Sequence, residues 1–455
     1  MVQKLTAAAL LCLQAASAAD RRASLTNIFR AGGNVRAASL VGPLPGITSS
    51  SYAGWWQVGA PADNAHLFTW YWPALNGNAS APLLVWLQGG PGASSLFALF
   101  TEMGPYRLNA SLFPVPNPQT WNTEFQMLFV DNPRGTGYSF SNNGTLCTEW
   151  LCYASDFDDM LRQFVDAFSL TTNEVFITGE SYGGHYVPAS AFMVASNNAA
   201  GKTPAINLKG IAVGNGFVAP LEMVGGYADI IFNAGLLSPS EYLVAQSYVR
   251  NITGKINVED YVGAYKIWDA FLNGDTTPGG AWYTNVTGLT NYFNVATETS
   301  PSFSFYASYV TSPAVRAALG VGNATYSDGN IDVEAALEGD VMFSQRGRLE
   351  ALLQQGFQVV VYNGALDLIC GAPLTERYIN LLNWPGNTFF LEQPKVVWHD
   401  TSYPGGAVSG YARSGGNLSF VVMRGAGHMC VSQRPKTTRE TKSARVIPNP
   451  NPAPP

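Results

Sequence analysis

Residues 174–188 read EVFITGESYGGHYVP, an apolar run that passes through glycines into a segment able to begin a helix. The Val-Phe-Ile run is typical of a buried strand, and the apolar positions between Tyr182 and Asn197 favour a helix. A strand-to-helix turn with glycines on both sides can hold Ser181 in a strained, exposed position. The stretch matches the G-x-S-x-G nucleophile elbow, so we interpret Ser181 as a candidate nucleophile.

Further apolar runs alternate with helical or loop stretches on both sides of this turn. Their continuous hydrophobicity, in place of clean alternation, favours strands covered on both faces of a sheet. We therefore predict an α/β fold with a mostly parallel central sheet flanked by helices. The opening pair, YAGWWQVG and HLFTWYWP, is expected to form an antiparallel edge. The other runs are APLLVWLQ, EFQMLFVDN, EVFITG, NLKGIAVGN, FQVVVYNG and LSFVVMRG.

The strand rhythm stops over residues 218–313, where helical pieces such as EYLVAQSYV and DYVGAYKIWDAFLNG alternate with Gly, Asn and aromatic residues. An insertion into a sheet fold commonly lies over the strand ends, where ligands bind. We therefore predict a helical cap here, between two parts of the sheet domain at residues 20–217 and 314–434. The Pro-rich tail, residues 435–455, is expected to be disordered.

The N-terminus has the features of a secretory signal peptide. Lys4 precedes an apolar run that ends in small residues around Ala16 to Ala18, so we predict cleavage after residue 18 or 19. No other stretch holds eighteen apolar residues without a charge or Pro, which predicts a soluble mature chain with no membrane span. A net charge of −6 without any basic run argues against nucleic acid as a partner.

N-x-[ST] sequons agree with passage through the secretory route. We expect N-glycosylation at seven of them: Asn78, Asn109, Asn143, Asn251, Asn285, Asn323 and Asn417. The sequence leaves open whether the protein is secreted or delivered to a vacuole or lysosome.

Five cysteines become four once Cys12 leaves with the signal peptide. Cys147 and Cys152 lie in the loop-like segment NGTLCTEWLC, and we predict that they form a disulfide bond in an oxidising compartment. Whether Cys370 and Cys430 pair or stay reduced is left open. So few cysteines cannot scaffold a chain of this length, so a hydrophobic core must hold it.

A serine nucleophile needs a base, and the chain offers four histidines. We interpret His66, beside the run HLFTWYW, as structural, and His185, a turn beyond the elbow, as a packing residue. His399 follows Val-Val-Trp. His428 is the best candidate, because LSFVVMRGAGH runs from a strand into a Gly-rich turn near the C-terminus, where the order Ser, Asp, His places the base.

The acid of such a triad should follow the strand between the nucleophile and the base. The segment FQVVVYNGALD delivers Asp367 there, where it would hold the imidazole of His428 in the right tautomer. An oxyanion hole needs two further donors, and we predict the backbone N–H groups of Tyr182 and of Gly90 in LLVWLQGGPGASS.

Seven motifs in this order resemble those of the serine carboxypeptidases, the acid-acting exopeptidase branch of the α/β-hydrolases. They are WLQGGPGASS, TEMGPYRL, DNPRGTGYSF, GESYGGHYVP, AVGNGFVAP, YNGALDLIC and GAGHM, between about Tyr52 and Met429. The resemblance implies the triad Ser181, Asp367 and His428 and the release of C-terminal residues from peptides and proteins through an acyl-enzyme. It implies no cofactor and no metal.

The same resemblance assigns residues that bind the free C-terminal carboxylate of the substrate. In the family this site comes from the Trp and Asn of W-L-N-G-G and from two glutamates. The matching positions here are Trp86, Gln88, Gly89, Glu102 and Glu180. Gln88 departs from the usual Asn, since it keeps the amide but lengthens the side chain.

By resemblance, Met429 lies in a substrate side-chain pocket. The family usually continues after G-A-G-H-M with Val-Pro and a final helix, whereas this chain has a polar, Pro-rich ending. Arg134 and Gly183 also replace residues that are more commonly small and apolar.

Two other functions compete with peptide hydrolysis: acyl transfer through the same serine, and a secreted binding or chaperone-like role. The sequence leaves open which substrate residues are preferred and whether the protein is a monomer or a homodimer.

Overall fold

The structure is a computed structural model that describes residues 24–298, 305–400 and 406–433. The predicted signal peptide and Pro-rich tail lie outside the described residues. Within them, an 11-stranded mixed sheet has the order β1, β2, β6, β3, β8, β9, β10, β13, β12 and β11, with β7 paired to β2, and β4 and β5 form a separate hairpin. The strands are β1 Tyr52–Val58, β2 Ala65–Trp72, β3 Leu83–Leu87, β4 Tyr106–Leu108, β5 Pro114–Pro116, β6 Gln126–Val130, β7 Phe140–Ser141, β8 Val175–Glu180, β9 Leu208–Gly214, β10 Gln358–Gly364, β11 Val396–Asp400, β12 Ala407–Gly415 and β13 Leu418–Met423.

The centre of the sheet is parallel and its two edges are antiparallel. Strands β6, β3, β8, β9, β10 and β13 run side by side in the same direction. The pair β1 and β2 closes one edge and the pair β12 and β11 closes the other, both antiparallel. The α/β class and the antiparallel opening pair are thus confirmed. Because the carboxyl ends of parallel strands share one edge, residues that follow them converge.

Continuous hydrophobicity in the central strands reflects burial on both faces of the sheet. Every residue of β3 and of β6 is buried. Within β3, Leu83, Val85 and Leu87 face one hydrophobic core, whereas Leu84 and Trp86 face the other. Burying each such large side chain contributes about 1.5–3 kcal/mol, so the two cores on opposite sides of the sheet stabilise the fold.

The far edge of the sheet contains two strands that the sequence did not predict. In β11, Val396 and Val397 are 61% and 46% exposed, respectively. Such a short, solvent-facing edge strand lacks the buried, continuous pattern that revealed the central strands.

Helices cover both faces of the sheet and fill the connection between β9 and β10. In that connection the helices extend from Pro220 to Gln354, well past the predicted end of the cap at residue 313. The described helices are α1 Leu25–Arg30, α2 Val35–Ser39, α3 Leu96–Thr101, α4 Trp150–Ala167, α5 Gly183–Ala199, α6 Pro220–Val224, α7 Tyr227–Asn233, α8 Pro239–Asn257, α9 Tyr261–Trp268, α10 Trp282–Thr287, α11 Phe305–Val310, α12 Pro313–Leu319, α13 Ile331–Ala336, α14 Glu338–Val341, α15 Arg346–Gln354, α16 Ala372–Ile379, α17 Asn387–Glu392 and α18 Cys430–Gln433, with a π-helical turn at Asp269–Asn273 and a 3₁₀ turn at Trp121–Thr123. None of these helices is long and apolar enough to cross a membrane.

Two cross-links fix the loop between β6 and α4. Cys147 and Cys152 are joined by a disulfide bond, as the sequence predicted. Arg134, which is buried, pairs with Asp156 of α4 over 2.7 Å and with Asp63 over 3.0 Å. A buried arginine is tolerated when its donors are paired in this way, which explains why a charge replaces a small apolar residue here.

Candidate active site

Ser181 lies at the turn between β8 and α5 with a φ of 62°, in the left-handed region that non-glycine residues rarely adopt. Its backbone N–H donates to the Gly214 carbonyl over 3.1 Å, and its own carbonyl accepts from the Phe217 N–H over 3.0 Å. A Cβ on Gly179 would lie 2.4 Å from the Leu87 carbonyl oxygen, so only glycine fits before the elbow. The strained turn is therefore held by neighbouring strands, which is the arrangement that projects a nucleophile from a sheet.

Asp367 and His428 follow β10 and β13 and meet beside this turn. Nδ1 of His428 lies 2.9 Å from Oδ2 of Asp367, and both side chains are almost fully buried. Nε2 of His428 makes no hydrogen bond within the described residues, and both His428 and Ser181 line the same cavity. The structure thus brings the three predicted residues together. Asp367 orients the imidazole of His428, whose Nε2 can accept a proton from a group in the cavity.

Asn215 holds the acid in place and was not assigned any role from the sequence. Its Nδ2 donates to Oδ2 of Asp367 over 2.6 Å. Its Oδ1 accepts from the Gly364 N–H over 3.2 Å and from the Cys430 thiol over 2.8 Å. The side chain is fully buried and its φ is 41°, which asparagine tolerates better than most residues. The motif AVGNGFVAP carried a signal for this residue, since Asn215 directly follows a predicted strand.

The loop after β3 lies against the nucleophile. A Cβ on Gly89 would be 2.5 Å from Cβ of Ser181 and 2.6 Å from the backbone nitrogen of Tyr182, so glycine is required for this approach. Gly90 and Tyr182 both line the cavity, and neither backbone N–H donates a hydrogen bond within the described residues. Both groups can therefore serve as oxyanion donors.

The buried carboxyl group of Asp131 anchors the same loop through hydrogen bonds. One carboxylate oxygen accepts from the Ser94 hydroxyl over 2.6 Å and from the Ser95 N–H over 3.1 Å, and the other accepts from the Tyr138 N–H over 2.9 Å. Burial raises the pKa of Asp131 to about 7 in spite of these donors. The carboxyl thus ties the loop carrying Gly90 to the segment after β6.

A buried hydrogen-bonded chain leads from Trp86 to Glu180. Nε1 of Trp86 donates to Oε1 of Gln88 over 2.8 Å, and Nε2 of Gln88 donates to Oε1 of Glu180 over 3.3 Å. Burial raises the pKa of Glu180 well above its usual range, and repulsion from Glu102 adds to the shift. Gln88 and Glu180 line the cavity, whereas Trp86 and Glu102 are buried close by. The longer amide of Gln88 therefore reaches both partners, and burial beside Glu102 favours the protonated form of Glu180.

The cavity in front of Ser181 has a volume of about 1050 Å³ and is lined by sheet loops and by the helical connection between β9 and β10. Met429 lies in its wall. Cys370 also lines the cavity, while the thiol of Cys430 donates to Asn215; both cysteines are buried and neither is in a disulfide bond. Burial raises the pKa of each thiol, so both are protonated at acidic and neutral pH.

The remaining histidines have other roles. His66 stacks on Phe140 with the ring centroids 4.8 Å apart, and His185 stacks on Tyr182 at 4.4 Å, in keeping with structural interpretations. His399 lies on the exposed edge strand β11. One group with the spacing of metal ligands occurs within the described residues, but it contains the two disulfide-bonded sulfurs, Cys147 and Cys152, which are thereby consumed.

Six of the seven sequon asparagines are exposed in the structure. The seventh, Asn417, is half-buried, and its Nδ2 donates to the carbonyls of Leu353 and Phe357 over 3.0 and 2.7 Å. A glycan on this nitrogen would cost one of these bonds, so Asn417 is the least suited acceptor. Asn285 is exposed and also lines the cavity.

Comparison with known proteins agrees with this geometry. The family model described as serine carboxypeptidase matches residues 43–444. The probable serine carboxypeptidase CPVL of Mus musculus is 37% identical over 87% of this chain and 83% of its own length. The venom serine carboxypeptidase of Apis mellifera is also 37% identical, over 85% of this chain and 82% of its own.

The fold is shared with a solved carboxypeptidase. The crystal structure of Kex1(Δ)p, a prohormone-processing carboxypeptidase from Saccharomyces cerevisiae, superposes with a TM-score of 0.76 at 23% identity, covering 88% of this chain and 94% of that one. The family match over most of the chain, together with relatives of 37% identity, shows that this chain belongs to the serine carboxypeptidase family.

Proposed function

We propose that Ser181, Asp367 and His428 are the triad through which this carboxypeptidase releases C-terminal residues from peptides. The observation that supports this most directly is the His428 Nδ1 to Asp367 Oδ2 contact of 2.9 Å beside a strained serine at the edge of a substrate-sized cavity. A binding protein that had lost its activity would have no need to keep this strained and buried arrangement.

In the proposed reaction, Oγ of Ser181 attacks the carbonyl carbon of the last peptide bond while Nε2 of His428 accepts the hydroxyl proton. The N–H groups of Gly90 and Tyr182 stabilise the negative charge that develops on the carbonyl oxygen. His428 then gives its proton to the departing amino group, so the C–N bond breaks and an acyl-enzyme forms. Water, deprotonated by the same nitrogen, hydrolyses the ester and regenerates Ser181.

The requirement for a free C-terminus is assigned to Gln88 and Glu180, supported by Trp86, Gly89 and Glu102. A protonated Glu180 can donate a hydrogen bond to the substrate carboxylate, whereas an ionised one would repel it. Because burial raises the pKa of Glu180, the donor form persists over the acidic range. This supports an enzyme that binds peptide acids best at acidic pH.

A secretory location fits these features. The predicted signal peptide, the disulfide between Cys147 and Cys152 and the exposure of most sequon asparagines all agree with passage through an oxidising compartment. We propose delivery outside the cell or to a vacuole or lysosome.

The test compares N-blocked dipeptides with their C-terminal amides, using wild-type protein and the Ser181→Ala and Asp367→Asn variants. We expect the wild type to hydrolyse the acids with lower KM than the amides. Ser181→Ala should abolish turnover, and Asp367→Asn should lower kcat by about 10⁴, because it favours the wrong imidazole tautomer. Retention of most of the wild-type rate by Ser181→Ala would refute the triad.

A further inference from the structure

Asp340, on α14 in the connection between β9 and β10, is a buried acidic residue with no part in the site described above. Its side chain belongs to a residue that is 3% exposed. Its Oδ1 accepts from the Trp150 N–H over 3.0 Å, and its Oδ2 accepts from the hydroxyls of Tyr182 over 2.7 Å and Tyr153 over 3.0 Å. Burying a charged group costs free energy unless hydrogen bonds compensate it, and three neutral donors supply them here. One of these donors, Tyr182, directly follows the nucleophile.

The two hydroxyl groups that meet Oδ2 of Asp340 remain donors. Burial raises the pKa of Tyr182 and of Tyr153 well above the usual range, and the charge of Asp340 adds to both shifts. An ionised carboxylate offers only acceptor sites, and a hydrogen bond to it is about twice as strong as one between neutral groups. The far end of the Tyr182 ring is therefore fixed by the connection.

A second contact joins the same two parts of the chain. The His185 ring stacks on the Tyr182 ring with the centroids 4.4 Å apart, and its Nε2 lies 2.9 Å from the Phe343 carbonyl oxygen. The Phe343 N–H in turn donates to the Asp340 carbonyl over 2.9 Å. The first turn of α5 thus packs against residues 340–343 through two rings, so the position of Asp340 relative to the elbow is well defined.

The peptide unit between Ser181 and Tyr182 carries one of the proposed oxyanion donors. Its carbonyl end is held by the N–H groups of Gly184 and Phe217, which donate to the Ser181 oxygen over 2.8 and 3.0 Å. Beyond its N–H, the chain continues to the Cα of Tyr182, whose side chain ends on Asp340. The carboxylate is thus placed to restrain the second end of this peptide unit.

We propose that Asp340 is a positioning residue for the carboxypeptidase reaction, and that it acts through the Tyr182 hydroxyl to hold the Tyr182 N–H where the oxyanion forms. Negative charge develops on the carbonyl oxygen in the transition state, so a donor fixed in advance lowers the barrier without tightening substrate binding. Loss of this restraint lowers kcat and leaves KM nearly unchanged. This inference rests on the proposed function, since it assumes that Ser181 attacks the peptide bond.

The first experiment measures kcat and KM for an N-blocked dipeptide with the wild type and with Tyr182→Phe, which removes one oxygen and keeps the ring and the backbone N–H. We expect kcat to fall about tenfold to hundredfold. This is less than the loss of an oxyanion donor outright, because the N–H is displaced but still present. KM should change less than about twofold, since the ring that lines the cavity stays.

The matched control is Tyr153→Phe. Tyr153 is also buried and its hydroxyl donates to the same oxygen of Asp340, but it lies on α4 and not on the elbow. The change should lower the free energy of unfolding in urea about as much as Tyr182→Phe does, and leave kcat unchanged. Equal losses of kcat in the two variants, or an unchanged kcat in Tyr182→Phe, would overturn the positioning role.

Asp340→Ala tests whether the carboxylate and the hydroxyl act as a unit. It deletes the acceptor, so kcat should fall as in Tyr182→Phe, and adding Tyr182→Phe to it should lower kcat no further. Multiplication of the two effects in the double variant would show that the hydroxyl does not act through Asp340. If Asp340→Ala does not fold, the comparison of Tyr182→Phe with Tyr153→Phe decides the question.

An N-blocked peptide aldehyde probes the oxyanion site directly. Oγ of Ser181 adds to the aldehyde carbon, the hydroxyl proton passes to His428, and the adduct oxygen takes the place of the oxyanion. In Tyr182→Phe the inhibition constant of the aldehyde should rise by the factor by which kcat/KM falls, whereas that of the corresponding alcohol, which forms no adduct, should not change. Unchanged aldehyde binding would overturn the inference and leave the reaction in place. Full activity in Ser181→Ala, or no hydrolysis by the wild type, would overturn the proposed function and this inference with it.

Discussion

Replacement of Asn215 by aspartate is expected to make turnover strongly pH-dependent. In the native protein, Nδ2 of Asn215 donates to Asp367 over 2.6 Å while Oδ1 accepts from the Gly364 N–H. The isosteric carboxyl can still accept from Gly364, but it can donate to Asp367 only when it is protonated. Aspartate also tolerates the φ of 41° at this position, so backbone strain changes little.

The size of the effect follows from that one bond. A hydrogen bond to a charged group contributes about 1.5–3 kcal/mol, and 1.36 kcal/mol corresponds to about tenfold in rate. In acid, a proton shared between the introduced carboxyl and Asp367 preserves the contact, and kcat stays near the wild-type value. As the pH rises and the shared proton is lost, the two carboxylates repel, and kcat should fall about tenfold to hundredfold below the wild type. KM should change little, because Asn215 does not line the cavity.

The assay follows kcat against pH with a peptide ester, which lacks a terminal carboxylate and so removes the contribution of Glu180. The control is Asn215→Gly, which accepts the positive φ and deletes the donor without adding an acid. It should lower kcat by a similar factor at every pH. A pH profile of Asn215→Asp that runs parallel to the wild type, or full kcat in Asn215→Gly, would refute the positioning of Asp367 by Asn215.

Four further outcomes can be measured. For peptide acids, KM should rise with pH as Glu180 loses its proton, and Glu180→Gln, which stays neutral, should flatten this rise; identical KM profiles for acids and amides would contradict it. A mercurial should titrate the thiol of Cys370 in the unreduced protein and inhibit it by crowding the cavity, whereas unimpaired activity after complete titration would argue against this. If Asn285 carries a glycan, which mass spectrometry can establish, Asn285→Gln should raise kcat/KM for protein substrates but not for dipeptides; Asn251→Gln, on the exposed side of α8, serves as the control. Finally, the pKa of Asp131 is raised from 3.8 to about 7, so its contribution to folding stability is present below about pH 4 and is lost as the pH rises to 7. The Tm should fall over that interval, and a Tm that rises there would exclude a dominant role for this carboxyl.

The convergence of the three residues proposed as the triad was predictable because they occupy equivalent places in the chain. Ser181, Asp367 and His428 each follow an apolar run through a glycine, and parallel strands bring their carboxyl ends to one edge. The disulfide between Cys147 and Cys152 was predictable for a similar reason, since their short spacing limits their partners. Local patterns of this kind can be recognised in a single sequence.

The parts that were missed depend on packing between distant segments. The position of Asn215 at a strand end was visible in the sequence, but its hydrogen bond to Asp367 joins the loops after two different strands, which no local pattern records. The wall of the cavity brings together Asp275, from a loop, and Glu334, from a helix that the sequence analysis placed in the sheet domain. The edge strand β11 was missed because its valines face solvent, so its hydrophobicity does not report burial.

The connection between β9 and β10 has an evolutionary consequence. The proposed nucleophile, acid and base follow strands β8, β10 and β13, whereas Asp275 and Glu334, which line the cavity, both come from the connection itself. After gene duplication, residues 220–354, apart from Asp340, could therefore change and alter which peptides the enzyme accepts. The residues proposed to catalyse the reaction would be retained throughout. As such enzymes diversify, we expect their sequences to vary in this segment and to stay nearly constant at the strand ends.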